Sequence, residues 1–212
     1  MGHGVEESIQ KQISPLRSRR RGFTSVEMTN RNENLVYKTN LYTGLESSLA
    51  QRKMKEQSWP RLRPANNEDC REVANLVYTV LREYNLKPDP DATDADLKDI
   101  EGSYFEQGGV FYVLQEQGGT IVGAYGLYRL DAETCELRKM YLRRSYRGKG
   151  WGKFLLEHAL AEARRLGFAK MVLETASVLK EAINLYKSYG FTEYQPQHLS
   201  SRCDQAYMLE LK

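Results

Sequence analysis

The segment that most restricts this chain is Arg143-Arg144-Ser145-Tyr146-Arg147-Gly148-Lys149-Gly150-Trp151-Gly152-Lys153, set between a strand-like run and an apolar-striped helix. Three glycines alternate with bulky residues, so the backbone turns tightly and the helix start exposes N–H groups with no partner. Between Glu136 and Glu157 stand seven basic residues and no acidic one. Helix-terminal amides, the positive end of the macrodipole and flanking Arg and Lys side chains together make an anion site suited to phosphate. Gly152 shares a helical stripe with Leu156, Ala159, Leu160 and Ala163, which predicts close approach of helix to sheet.

Two common glycine loops are excluded by these residues. A nucleotide P-loop needs Gly-x-x-x-x-Gly-Lys-Ser/Thr, but five positions after Gly148 stands Lys153, followed by Phe154. A dinucleotide fingerprint beginning at Gly148 and Gly150 meets Lys153 where its third glycine belongs.

From Trp59 the elements read strand, helix, helix, three strands, helix, strand, helix, two strands. Leu62 to Pro64 form a short strand, and Asn66 or Asn67 caps a helix with Glu68 and Asp69 in its first turn. Val73, Leu76, Val77, Val80, Leu81 and Tyr84 make one stripe on that helix. Ala95 to Glu106 reads as a second helix, ended by Gly108-Gly109. Val110–Leu114, Thr120–Leu130 and Cys135–Leu142, divided by turn residues, read as an antiparallel meander. In the third of these, Leu137 and Tyr141 alternate out of phase with Met140 and Leu142, which fits a β-bulge or a strand buried on both faces. A late helix carries Leu179, Ala182, Ile183 and Tyr186 inward, with Gly190 at the left-handed position after its end. On periodicity alone Tyr186 is a core aromatic.

The pattern that fits the loop is Arg-x-x-Gly-x-Gly at Arg147, Gly150 and Gly152, and with it the sequence resembles the GNAT superfamily of acyl-CoA-dependent N-acyltransferases. A second motif, Ala182-Ile183-Asn184-Leu185-Tyr186-Lys187-Ser188-Tyr189-Gly190-Phe191, looks like the family's late helix ending in Leu-Tyr-x-x-x-Gly-Phe. The resemblance covers about residues 60–212. It implies an α/β fold with a mixed α+β arrangement: a central, mostly antiparallel twisted sheet flanked by about four helices. It further implies that Arg147, Gly148, Lys149, Gly150, Trp151, Gly152 and Lys153 cradle the pyrophosphate of acetyl-CoA, and that the backbone of Met140, Tyr141 and Leu142 pairs with the pantetheine arm. By the same likeness Tyr186 protonates the departing thiolate and the Met140 N–H stabilises the oxyanion. Many family members carry an asparagine seven residues before the tyrosine, where it helps hold the cofactor; this chain departs from that pattern with Leu179.

The implied chemistry is attack of a neutral amine on a thioester, which asks for a base, an oxyanion donor and an acid. Glu136 is the first candidate for the base and Glu174 the second. The function expected is acetyl transfer from acetyl-CoA to a primary amine of a small molecule or peptide, by direct attack in a ternary complex; the alternative is a catalytically silent acyl-CoA-binding or regulatory domain. Asp89, Asp91, Asp94, Asp96, Asp99 and Glu101 either steer a cationic acceptor, polyamine-like or amino-acid-like, or form a solvated face. His158 reads as a surface residue.

Composition narrows the partners. The chain has 212 residues and a formal charge of +3. Residues 1–58 hold 10 basic against 6 acidic residues, leaving 21 against 22 for residues 59–212, so the excess positive charge belongs to a basic tail expected to be disordered and not to the GNAT-like N-acetyltransferase domain expected over 59–212. A slightly acidic folded part argues against a nucleic-acid partner. No run approaches the roughly 18 apolar residues of a membrane span. Three scattered cysteines, Cys70, Cys135 and Cys203, give neither a disulfide framework nor a metal site, and a reducing, cytoplasmic setting is expected. Nothing in the sequence chooses between monomer and homodimer.

Overall fold

In the computed structural model the described residues are 60–211. The expected tail, residues 1–58, lies outside them, as do Trp59 and Lys212. Seven strands form one sheet: β1 (Arg61–Pro64), β2 (Val110–Gln115), β3 (Ile121–Arg129), β4 (Thr134–Leu142), β5 (Lys170–Thr175), β6 (Thr192–Glu193) and β7 (Gln205–Glu210). Their order is β1-β2-β3-β4-β5-β7-β6. Every neighbouring pair is antiparallel except β4 and β5.

Helices cover both faces. Helix α1 (Cys70–Glu83) follows a helical turn in which the Asn66 side chain accepts from the Glu68 N–H at 3.0 Å while Asp69 Oδ2 accepts from the Asn66 N–H at 3.0 Å. This reciprocal cap satisfies two of the helix start's orphan donors. The predicted stripe is the buried face: Val73, Leu76, Val77 and Leu81 are fully enclosed against Phe111, Val113, Ile121 and Ala124. Each such side chain contributes on the order of 1.5–3 kcal/mol. Helix α2 (Trp151–Arg165) buries Leu155, Leu156, Ala159 and Ala163 on the opposite face, against Tyr112, Leu114, Val122 and Tyr125. Strands β2 and β3 are thus buried on both sides, which explains their unbroken apolar runs.

Residues 95–106 are not the single helix that their composition predicts. They form a 3-10 turn (Ala95–Lys98) and a short π-helical turn (Glu101–Phe105). Asp99 lies between them, and its carboxylate accepts from the Gly102 N–H and from Asn67 Nδ2, both at 2.9 Å. A short acidic side chain that captures local N–H groups competes with helix propagation.

The out-of-phase pattern of β4 is resolved as a bulge. Pairing with β3 runs from Gly126 opposite Arg138 to Ala124 opposite Tyr141, so Lys139 and Met140 together face Tyr125. Lys139 takes a left-handed backbone, φ 54°. The extra residue brings Met140 and Leu142 to the same core as Cys135 and Leu137, while Tyr141 joins the α1 side. Leu137 and Tyr141 therefore lie on opposite faces, contrary to simple alternation.

β4 pairs with β5 only through Thr134–Glu136 against Lys170–Val172. Beyond that point the strands part, and helix α3 (Lys180–Ser188) follows β5. Gly190, φ 88°, closes α3 in the expected left-handed conformation, and the Phe191 N–H returns to the Tyr186 carbonyl at 3.2 Å.

Candidate active site

The parted strands open a cleft of about 810 Å³. One end is walled by Arg144, Arg147, Gly148, Gly150, Gly152 and Lys153; the other by Asp96, Glu136, Lys139, Glu174, Ser200 and Arg202. Between them run Met140, Tyr141 and Leu142 of β4 and Leu179, Leu185 and Tyr186 of the α3 region.

At the first end the loop is folded by its own residues. The Arg143 N–H bonds the Val122 carbonyl at 2.8 Å, a 3-10 turn spans Arg144–Tyr146, and Gly148 and Gly150 take φ of 69° and 87°. A Cβ at either glycine would meet nothing within 4 Å. These glycines serve backbone conformation beside open space. Gly152 differs: a Cβ there would make ordinary contacts, 3.6 Å to Leu185 and 3.8 Å to Leu142, so close helix packing does not demand glycine. The Phe154 N–H reaches the Gly150 carbonyl at 3.0 Å, and the amides of the first helical turn before it have no intrahelical acceptor.

Arg147 is held in place before any ligand arrives. Its Nε donates to the Leu142 carbonyl at 2.9 Å, its Nη1 pairs with Glu83 Oε2 at 2.7 Å, and the guanidinium lies 5.5 Å from the Tyr84 ring centroid. Its Nη2 is buried without a hydrogen-bond partner among the described residues. A fixed guanidinium with an unused donor, beside glycines that leave room at a helix N-terminus, fits a pyrophosphate. Not every residue of the loop faces the cleft. Lys149 Nζ stands 6.0 Å from the Tyr146 ring centroid, and Trp151 packs edge-on against Phe154 at 5.6 Å; neither lines the wall.

Tyr186 is enclosed, with its hydroxyl 4.0 Å from Met140 Sδ. Burial, reinforced by Tyr141, raises its phenol well above the usual range, so it stays protonated at neutral pH. Burial likewise pushes Tyr141 up to about 12, with Arg202 acting in the opposite direction. Glu136 receives Arg138 Nε at 2.6 Å, and burial raises its carboxyl despite that guanidinium. Glu174 accepts from the Ser200 N–H at 2.9 Å and Oγ at 2.5 Å. Leu179 makes this part of the wall apolar.

The acidic stretch presents little free charge. Asp91 pairs with Lys98 at 2.8 Å, Asp89 accepts from the Thr93 hydroxyl at 3.1 Å, and Asp99 is used as described above. Asp96 accepts from the Tyr104 hydroxyl at 2.6 Å, and Asp94 is bound by Lys139 and Arg202. His158 is half-buried and not a freely solvated surface residue: its Nδ1 lies 2.6 Å from the Tyr125 hydroxyl, on α2 and outside the cleft lining. Sequence reading missed Arg202 and Ser200, and took Asp94 only as one of an acidic row. The one signal was Lys139, a lysine inside a strand with apolar neighbours. Among the described residues no group of three or more His, Cys, Asp or Glu is placed to hold a metal ion, and no helix is long and apolar enough to cross a membrane.

A profile described as the Acetyltransferase (GNAT) family matches residues 74–191. The protein named Uncharacterized N-acetyltransferase YjgM of Escherichia coli (strain K12) is 36% identical over 137 residues, covering 62% of this chain and 81% of that protein. The crystal structure of an acetyltransferase of the GNAT family from Staphylococcus aureus Mu50 superposes with a TM-score of 0.68 at 27% identity, over 72% of this chain and 99% of that one. The structure of yncA from Salmonella typhimurium with its cofactor acetyl-CoA has the same fold, with a TM-score of 0.57 at 24% identity over 72% of this chain and 94% of that one.

Proposed function

The chain belongs to the acetyltransferase (GNAT) family, an acetyl-CoA-dependent N-acetyltransferase, and we propose that it acetylates the primary amine of a small molecule or peptide by direct attack within one cleft. The observation that carries this reading is a single cleft with a phosphate-suited cradle at one end and acid–base groups at the other. When bound, acetyl-CoA supplies a thioester whose carbonyl an amine can attack and whose thiol is the leaving group.

The chain's own residues divide the work. Arg147, Arg144, Lys153 and the first amides of α2 hold the pyrophosphate, with Gly148 and Gly150 giving it access. The edge of β4 from Leu137 to Leu142 has no β5 partner, which leaves Met140, Tyr141 and Leu142 free to pair with the pantetheine arm. Within that edge the bulged Met140 offers its N–H to the carbonyl oxygen. Glu136, with a raised pKa, takes the proton of the incoming ammonium, and Tyr186, held neutral by burial, gives its proton to the leaving sulfur.

The test is release of CoA thiol from acetyl-CoA with amino acids, polyamines, aminoglycosides and peptides as acceptors. Amine-dependent release that saturates in both substrates is expected. CoA binding without release for any amine would leave a silent CoA-binding domain instead.

A further inference from the structure

Three segments distant in sequence meet at the acceptor end of the cleft, and one carboxylate ties them. Asp94 is fully buried. Its Oδ1 accepts from Lys139 Nζ at 2.7 Å and from Arg202 Nη2 at 2.6 Å; its Oδ2 accepts from Arg202 Nη1 at 2.7 Å and from the Asp89 N–H at 3.0 Å. Lys139 Nζ also donates to the Thr93 carbonyl at 2.7 Å and lies 3.2 Å from Asp96 Oδ1. Lys139 is the left-handed residue of the β4 bulge, immediately before Met140. Arg202 belongs to residues 194–204, the connection from β6 to β7 that also brings Ser200 and Cys203 to the cleft wall.

Stability is a poor reason for such an arrangement, because a buried ion cluster is often no more stable than apolar residues of the same volume. A left-handed lysine inside a strand adds strain, and strain of this kind gathers where geometry matters. Burial would raise the Asp94 carboxyl, yet hydrogen bonds from Arg202 and Lys139 bring it down to about 2, so Asp94 stays a carboxylate through the neutral range.

We propose that Asp94 is a positioning residue: through Arg202 it latches residues 194–204 over the acceptor end, and through Lys139 it fixes the bulge that presents Met140. The role rests on the reading that the amine occupies the end of the cleft opposite the glycine loop. Asp94 itself touches no substrate.

Two variants separate this from a general loss of fold. Arg202→Lys keeps the charge and loses the two-pronged contact; Asp94→Asn removes the negative charge and one of the two acceptor oxygens. Hydrogen exchange of the Arg202→Lys chain should show amides of residues 196–203 exchanging about tenfold faster, with those of the first turn of α2 unchanged. With the panel amine that the unaltered chain turns over fastest, KM for that amine should rise about tenfold while KM for acetyl-CoA stays within about twofold. Asp94→Asn, where it folds, should lower kcat as well, because the bulge is released. Unchanged exchange in residues 196–203, or the two KM values moving together, would overturn the proposal. Failure of the underlying reading is a separate result: no amine-dependent CoA release by the unaltered chain.

Discussion

The glycine loop and the acceptor end are built in opposite ways. Residues 143–153 are contiguous, anchored on α1 through Arg147 and Glu83 and on β3 through Arg143, and leave a buried donor unused, the Arg147 Nη2. The acceptor end draws on Asp94, Lys139 and Arg202, whose partners lie 45 and 108 positions apart, and its charges pair mostly with one another, although Asp96 Oδ1 has no hydrogen-bond partner among the described residues. A donor left unused grips an anion by charge-assisted bonds, whereas charges paired with one another mainly shape the space around them. A row of aspartates in a sequence is therefore not an electrostatic surface, since Asp94 and Asp96 spend their charge on Lys139, Arg202 and Tyr104.

That contrast is most exposed at Glu136, where an acceptor-end group is assigned chemistry. Glu136→Gln should lower kcat/KM at neutral pH on the order of 10²-fold, in line with loss of a general base. The sign of the pH dependence follows from the raised pKa: the proton-accepting carboxylate is lost as pH falls through a value above the ordinary glutamate's, about 4.3. The acid limb of the kcat/KM profile should stand above that value in the unaltered enzyme and vanish in the variant. If the limb persists in Glu136→Gln, the base is another group.

Tyr186→Phe comes next, with kcat reduced about tenfold and KM for acetyl-CoA little changed, as expected for an acid acting on the leaving group. Steady-state kinetics at saturating amine decides this; an equal rise in KM would make the tyrosine a binding residue.

The smallest effects distinguish two glycines of the same loop. Gly150→Ala forces a side chain into φ 87°, at about 1–2 kcal/mol, and should raise KM for acetyl-CoA along with lowering Tm. Gly152→Ala places a methyl at ordinary contact distances in a helix, and should leave Tm unchanged or raise it by the equivalent of about 0.5–1 kcal/mol. Equal damage from both would mean that crowding and not backbone conformation fixes the loop.

The same contrast decides what the sequence reveals. The α1 stripe, the meander and the loop between β4 and α2 are readable because their signals lie within a dozen residues: period, turn chemistry and glycine spacing. The bulge was readable as a phase fault between Leu137 and Met140, though not as distinct from a doubly buried strand. What escaped depends on tertiary contact. Asp99 interrupts a helix by reaching Asn67, His158 contacts Tyr125 from another element, and Arg202 meets Asp94 across 108 positions of chain.

Calorimetric titration with CoA tests the central claim, that the glycine loop is the cofactor end of the cleft, most directly. The unaltered chain should bind CoA saturably, Arg147→Ala with Lys153→Glu should weaken binding about 100-fold through loss of charge-assisted contacts, and Arg202→Lys should leave it unchanged. Equal CoA affinity in the loop variant and the unaltered chain, or no binding by the unaltered chain, would contradict the account.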